Sequence, residues 1–181
     1  MKTLAILRHA KSDWSDGQTR DFDRPLNARG IKGATVMGAY IKANHMQFDA
    51  VVASPAARVT ETLEHVESQL DSKFTTQWDR RIYLASSATL LELLREQDDA
   101  ASVLMIAGHN PGLEDLILEL LPDDGSSPMR DQVETKFPTG ALAILKTDID
   151  AWQDLGSAPA QLELLVRPRD IDPELGPEVR H

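Results

Sequence analysis

Three short segments of the chain hold the residues that could do chemistry on an anion. Arg8 and His9 follow one apolar run, Arg58 follows a second, and His109 follows a third. A guanidinium group can donate paired hydrogen bonds to phosphate oxygens, and an imidazole can donate, accept or attack as a nucleophile. None of the three segments contains a carboxylate, so the pattern favours a bound anion and predicts no metal site.

The elements predicted around these segments bring them to one edge of a sheet. Apolar runs at residues 3–8, 48–53 and 102–107 predict buried strands, and a helical pattern follows each run. Alternating strands and helices predict an α/β fold, with a mostly parallel central sheet and helices on both faces. Ligands of open parallel sheets bind beyond the carboxyl ends of the strands, and the three segments lie at those ends.

Capping residues and prolines predict where the helices begin. Asn27 is expected to cap one helix, and Ser54-Pro55 is expected to begin another that ends near Leu70. Asn110-Pro111 repeats this arrangement and predicts a third helix. Two of these helices begin at the candidate site, where their N-terminal N–H groups favour anions.

The remaining segments complete a predicted single domain that spans the whole chain. Two strand candidates, residues 141–145 and 162–166, follow one another without a clear helix between them, so we expect an antiparallel strand at one edge of the sheet. Residues 122–136 are predicted to form an acidic loop. Residues 13–27, named the covering loop below, are long for a connection and are expected to cover the site. The proline-rich residues 167–181 are predicted to be an extended tail.

Composition excludes several classes of protein. The chain has 181 residues, of which 41% are hydrophobic and 27% charged, values typical of one globular domain with a sizeable core. It has no cysteine, which excludes disulfides, thiolate metal sites and a cysteine nucleophile. The net charge of −10 argues against nucleic-acid binding. With no signal peptide and no apolar run near the roughly 20 residues of a membrane span, we expect a cytoplasmic protein with no membrane partner.

Each candidate residue also has a purely structural interpretation. Arg8 can be a surface arginine, His9 a partly buried histidine with satisfied hydrogen bonds, and residues 108–111 a tight turn with a good cap. Lys11 can line a pocket or be a solvated loop residue. The joint occurrence of these features at three junctions of the same sheet edge favours a functional site.

The segment at residues 7–12, Leu-Arg-His-Ala-Lys-Ser, resembles the signature of the histidine phosphatase superfamily, whose first strand ends in an Arg-His pair. Within that superfamily the chain resembles the SixA-type phosphohistidine phosphatases. The further matching segments are RPLNARG at residues 24–30, SPAARVTET at 54–62, GHNP at 108–111 and TGALA at 139–143. As an ordered set these motifs are specific, and they span most of the chain.

The resemblance implies a phosphoglycerate-mutase-like fold and a metal-independent phosphatase that uses no cofactor. It implies that His9 is the nucleophile and forms a transient phosphohistidine, with Arg8, Arg58 and His109 around the phosphoryl group. A positioned imidazole can act as a covalent nucleophile, and cationic groups can stabilise the phosphoryl charge without a metal. Three further residues are expected to bind substrate: Lys11, Asn27 and Asn110.

The chain departs from the superfamily at the proton donor. Larger members place a carboxylate in the stretch that corresponds to residues 82–85, and this chain has none there. Asp13, Asp21 and Asp23 of the covering loop are the candidate donors. A phosphorylated imidazole can leave as neutral imidazole without a dedicated acid, so phosphohistidine on a protein is the expected substrate of a monomeric enzyme. The alternatives are a phosphatase for small phosphomonoesters, such as sugar or nucleotide phosphates, and a catalytically weak phosphoprotein-binding module.

Overall fold

The computed structural model describes residues 1–177 and contains one six-stranded sheet. The strands are β1 (Lys2–Arg8), β2 (Ala50–Ala53), β3 (Thr76–Trp78), β4 (Val103–Gly108), β5 (Leu142–Thr147) and β6 (Ala160–Val166). Their order is β3-β2-β4-β1-β5-β6. The first four strands pair in parallel, whereas β5 is antiparallel to β1 and β6 is antiparallel to β5. The predicted mostly parallel sheet with an antiparallel edge is therefore confirmed.

Six helices accompany the sheet within the described residues. They are α1 (Ala28–Ala43), α2 (Ala57–Glu67), α3 (Ser87–Arg95), α4 (Gly112–Leu120), α5 (Pro128–Thr135) and α6 (Pro168–Ile171). Single turns of 3-10 helix lie at Asp21–Asp23, Arg80–Ile82, Trp152–Asp154 and Pro173–Leu175. Within the described residues, no helix combines the length and the apolar character needed to cross a membrane.

The alternation of side chains along β1 divides the core into two layers. Leu4 and Ile6 point to one face, and Ala5 and Leu7 point to the other, as the two-residue period of a strand requires. All four are at most 1% exposed. Helices α3, α4 and α5 cover the first face, and α1 and α2 cover the second. Each buried Leu or Ile stabilises the fold by about 1.5–3 kcal/mol. Both core layers therefore hold the sheet against its helices.

The register of the three central strands aligns their carboxyl ends. Arg8 of β1 lies opposite Gly108 of β4, and Ala53 of β2 lies opposite Ala107. The residues that follow the three strands therefore emerge within one residue of the same height. These residues are His9, Ser54 and His109.

The predicted start of one helix is wrong by two residues, and that of another is wrong by one. Helix α2 begins at Ala57 rather than at Ser54-Pro55, and it ends at Glu67 rather than near Leu70. Helix α4 begins at Gly112, after Asn110-Pro111. In both places the presumed capping side chain also forms a tertiary hydrogen bond, described below. The predicted cap of α1 is confirmed, because the Asn27 side chain accepts a hydrogen bond from the backbone of Gly30.

Two segments predicted to be irregular contain helices. Residues 122–136 are not a continuous loop, because Ser127 caps α5 and buried Val133 anchors it to the core. The prediction of an extended tail is wrong for residues 168–175, which form α6 and a 3-10 turn. Pro168 is buried there, and a docked segment can bury apolar surface that an extended tail would leave in water. Residues 178–181 of the predicted tail lie outside the described residues.

Candidate active site

His9 is held at the end of β1 with its ring in a defined orientation. Its backbone N–H donates to the Gly108 carbonyl at 3.1 Å, and its Nδ1 lies 2.7 Å from the Ala10 carbonyl oxygen. Because a carbonyl can only accept, Nδ1 carries the hydrogen and Nε2 keeps the lone pair. Burial is the main cause that lowers the pKa of His9 to about 3, with Arg8, His109 and Arg58 adding to it. The ring is therefore neutral at pH 7.

His109 faces His9 from the end of β4. The two ring centroids are 5.4 Å apart, and His109 Nε2 lies 2.8 Å from Ser54 Oγ. The other nitrogen of His109, Nδ1, is buried and has no hydrogen-bond partner among the described residues. Burial, followed by the charge of Arg58, lowers the pKa of His109 to about 4. The Ser54 side chain predicted to cap a helix instead orients this imidazole, while also accepting a 3.3 Å hydrogen bond from Ala56 N–H.

Three arginines bring positive charge to the two histidines. Arg58 and Arg24 are only 3% and 6% exposed, and Arg8 is half-buried with its Nη1 donating to the Phe137 carbonyl at 3.0 Å. The Nε of each arginine is buried and has no acceptor within residues 1–177. Burying a cation with unfilled donors is costly. An anion in the space between these groups would offset that cost.

Arg24 is a site residue that our sequence prediction missed. It comes from the covering loop rather than from the end of a strand, so the argument from strand ends did not select it. Its Nη1 donates to Ser12 Oγ, and its guanidinium stacks 3.5 Å from the centre of the Trp14 ring. The signal that could have found it was its place at the start of the RPLNARG motif, residues 24–30.

Asp21 ties the covering loop to the arginines. Arg58 Nη1 donates to the Asp21 carbonyl at 2.7 Å, and Arg58 Nη2 donates to Asp21 Oδ2 at 3.1 Å. The Tyr83 hydroxyl and Arg24 also donate to the same carboxylate. The Tyr83 hydrogen bond is the largest cause that lowers the pKa of Asp21, and the two arginines add to it. Asp21 is therefore held as a charged acceptor, which is the wrong state for a proton donor.

The other candidate donors lie away from the site. Asp13 accepts from the Ser15 backbone, and Asp23 pairs with Arg20 at 2.8 Å. Neither aspartate lines the cleft between the histidines and the arginines, whereas Asp21 does. In this conformation the covering loop brings one carboxylate to the site, and that carboxylate is occupied by cations.

The three further substrate-binding candidates are placed differently from one another. Lys11 and Asn110 line the cleft, although Asn110 Nδ2 is engaged by the Phe137 carbonyl at 2.8 Å. Asn27 does not line it. The Asn27 amide caps α1 and donates to the Ser12 carbonyl at 3.3 Å, so its role here is to fix the loop rather than to contact a ligand.

The cleft has a volume of about 560 Å³ and opens at the carboxyl edge of the sheet. Its walls are the ends of the central strands, the covering loop, the segment before β5 and the C-terminal segment around α6. Across residues 1–177 no group of three His, Asp or Glu side chains is arranged to hold a metal ion. The arrangement can bind a phosphoryl group between arginines and present it to a neutral imidazole.

Comparison with known proteins agrees with this geometry. The family model of the histidine phosphatase superfamily (branch 1) matches residues 4–81. The uncharacterised protein Rv1276c of Mycobacterium tuberculosis is 32% identical over 157 residues, which are 86% of this chain and 96% of that protein. Phosphohistidine phosphatase SixA of Escherichia coli is 27% identical over 146 residues, or 79% of this chain and 84% of that protein.

A solved structure extends the likeness to the whole fold. SixA from Nakamurella multipartitia superposes with a TM-score of 0.80 at 30% identity, and the match covers 92% of this chain and 96% of that chain. It thus includes the region beyond residue 81, where His109 and the antiparallel strands lie. An Arg-His pair at the end of the first strand, within a match of this extent, means that the chain belongs to the histidine phosphatase superfamily, among its SixA-type members.

Proposed function

We propose that this protein is a metal-independent phosphatase that hydrolyses phosphohistidine on a protein through a phosphoryl-enzyme intermediate on His9. One observation carries the proposal: His9 is neutral, and its Nδ1–H is fixed on the Ala10 carbonyl, so Nε2 is available to attack. The similarity to E. coli SixA, a phosphohistidine phosphatase, supports this choice of substrate.

In the first step, the His9 Nε2 lone pair attacks phosphorus. A new N–P bond forms, the P–N bond to the substrate imidazole breaks, and its electron pair stays on the departing nitrogen. When the other nitrogen of that imidazole carries a proton, the leaving group is neutral imidazole. Arg8, Arg24 and Arg58 hold the phosphoryl oxygens, and preorganised cations of this kind stabilise transferring phosphoryl charge.

In the second step, water attacks the phosphoryl group on His9. The N–P bond breaks, inorganic phosphate leaves with the oxygen of that water, and Nε2 recovers its lone pair. The unpartnered Nδ1 of His109 is the group we assign to hold a phosphoryl oxygen or the attacking water. The arginines act in both steps, because the phosphoryl group stays between them.

The lack of an available acid favours P–N over P–O bonds. Cleaving an alkyl phosphate expels an alkoxide, and a positioned acid typically contributes about 10²–10⁴-fold to such a step. Asp21 is held charged, and the Tyr83 hydroxyl already donates to it. Burial, followed by this hydrogen bond, raises the pKa of Tyr83. Phosphohistidine needs no such donor. A small phosphomonoester is therefore the second candidate substrate.

A panel of substrates tests the proposal. We expect kcat/KM on a phosphohistidine peptide to exceed that on a simple alkyl phosphate by at least about 10²-fold, the lower end of the missing acid's contribution, with aryl phosphates in between. Asp21→Asn should change both activities by the same factor. Equal efficiency on a sugar phosphate, or an Asp21→Asn loss confined to the alkyl ester, would contradict the proposal. Tight phosphopeptide binding without turnover would favour a binding module.

The cellular location and the oligomeric state of the enzyme are also part of this proposal. We propose that the enzyme acts in the cytoplasm as a monomer, as the sequence led us to expect. Cell fractionation and the sedimentation of the purified protein test these two points independently of the chemistry.

A further inference from the structure

The cleft carries more positive charge than one phosphoryl group needs. Eight Lys or Arg side chains line it, and within the described chain Asp21 is the one acidic residue among its lining. The protein as a whole has a net charge of −10. The inner arginines, Arg8, Arg24 and Arg58, can already neutralise a phosphoryl dianion, so a further group of the lining cations can bind a second negative group.

Three of these outer cations form a group that we call the cationic rim: Lys11, Lys136 and Arg169. They come from three distant parts of the chain, after β1, after α5 and within α6. None of them forms a salt bridge with another residue between 1 and 177, whereas neighbouring Arg167 is paired with Asp170 at 2.8 Å. The rim charges therefore have no salt-bridge partner among residues 1–177, and a carboxylate of a ligand can pair with them.

The fold fixes the position of Arg169. The adjacent Pro168 is buried, and Gly140 makes room for it, because a Cβ on Gly140 would lie 2.7 Å from the proline Cγ. On the next turn, Lys32 of α1 pairs with Asp172 at 3.1 Å. The C-terminal segment is thus a built wall of the cleft, and it keeps Arg169 at the mouth.

The mouth also presents apolar surface. Trp14 is 75% exposed and Leu84 is 56% exposed, and both line the same cleft as the rim. Apolar side chains exposed at a polar cleft give a polypeptide substrate additional surface to contact. A small, fully polar phosphate ester would leave the exposed faces of both side chains without a contact from the substrate.

We propose that the cationic rim binds the carboxylate of an acidic residue that flanks the phosphohistidine in the substrate polypeptide. This inference rests on the proposed function and deepens it, because it names the sequence context of the substrate. The inner arginines hold the phosphoryl group, Trp14 and Leu84 contact the chain, and the rim selects for Asp or Glu nearby.

Matched phosphohistidine peptides test the inference. One peptide carries Glu and Asp beside the phosphohistidine, and the other carries Gln and Asn at the same positions. Exposed ion pairs are individually weak but several act together at the rim, so at low salt we expect kcat/KM to be on the order of 10-fold higher for the acidic peptide, mainly through KM. The combined variant Lys11→Gln, Lys136→Gln, Arg169→Gln should bring the ratio close to one.

Lys42→Gln is the matched control, because Lys42 is an exposed cation on α1 outside the cleft, and this variant should keep the wild-type ratio. Turnover of both peptides at equal kcat/KM would overturn the inference and leave the proposed function standing. A ratio that survives loss of the rim would overturn it too. So would a rim-dependent advantage seen with a small bisphosphate but not with the acidic peptide. Absence of turnover on every phosphohistidine substrate would overturn both.

Discussion

The imidazole of His9 must lie among cations that bind phosphate and still carry a lone pair. Burial meets both conditions, because desolvation disfavours the charged ring and the nearby arginines disfavour it further. The same environment acts on His109. Both rings stay neutral well below the pH at which a solvated histidine takes up a proton.

This arrangement predicts how stability depends on pH. The pKa values of about 3 for His9 and about 4 for His109 lie below the ordinary value of 6.5. Between these folded-state pKa values and pH 6.5, the unfolded chain therefore binds more protons than the folded protein does. With respect to these two histidines, the folded state is therefore most stable above pH 6.5, and it loses stability as the pH falls towards the folded pKa values. Urea unfolding at pH 7 and pH 5 should show the loss, and His9→Gln should reduce it. An unchanged loss in that variant would contradict the assigned environment.

Arg58 should matter for the transition state more than for folding. It is buried beside both histidines, and its guanidinium has five N–H donors, of which Asp21 accepts two and a phosphoryl group can accept others. We expect Arg58→Ala to lower kcat/KM by about 10²-fold or more, the effect of losing one charge-stabilising donor. Arg58→Lys should recover only part of it. Arg81→Ala is the control, since Arg81 is exposed and pairs with Asp79 and Glu96; comparable losses in both variants would remove Arg58 from the site.

At the scale of elements, packing of the C-terminal segment depends on a glycine. Gly140 has φ +77°, and a Cβ there would meet Pro168 Cγ at 2.7 Å. Gly140→Ala is therefore expected to lower the free energy of unfolding by about 1–3 kcal/mol in urea titrations. Gly17→Ala, in the covering loop with no atom within 4 Å of its Cβ, should be close to neutral. Equal stability of the two variants would show that α6 does not depend on this contact.

Local sequence signals predicted the strands well and the helix starts less well. The apolar runs that predict β1, β2 and β4 are short and buried, so the pattern is direct. Ser54 and Asn110 have the residue types of helix caps, but each forms a tertiary hydrogen bond, to His109 and to the Phe137 carbonyl. A Ser-Pro or Asn-Pro pair in the sequence does not tell whether the polar side chain caps a helix or forms a tertiary hydrogen bond.

The C-terminal segment shows a different limit. Its prolines indicate an irregular tail, and no local pattern tells that Pro168 docks against Gly33 and Gly140. One of these contacts joins residues more than a hundred positions apart in the sequence, so it forms only in the assembled fold and leaves no local signal. The same applies to Arg24, whose place beside the histidines depends on the path of the covering loop.

At the scale of the whole molecule, the site depends on crossovers of the chain that bring distant residues to one edge of the sheet. Arg8 ends β1, whereas Arg58 and His109 follow β2 and β4, and the order β2-β4-β1 sets those strands side by side. Because the rest of the surface is acidic on balance, the cleft is a local cationic region on an anionic protein. Substrate recognition is therefore concentrated at this edge.

The most direct measurement is to locate the phosphoryl group during turnover. Incubation with labelled phosphoramidate, followed by an alkaline quench and peptide mapping, should place an acid-labile, alkali-stable phosphoryl group on His9. His9→Ala should abolish both this adduct and turnover. A phosphoryl group found on His109 instead, or turnover by His9→Ala near the wild-type rate, would contradict the central claim.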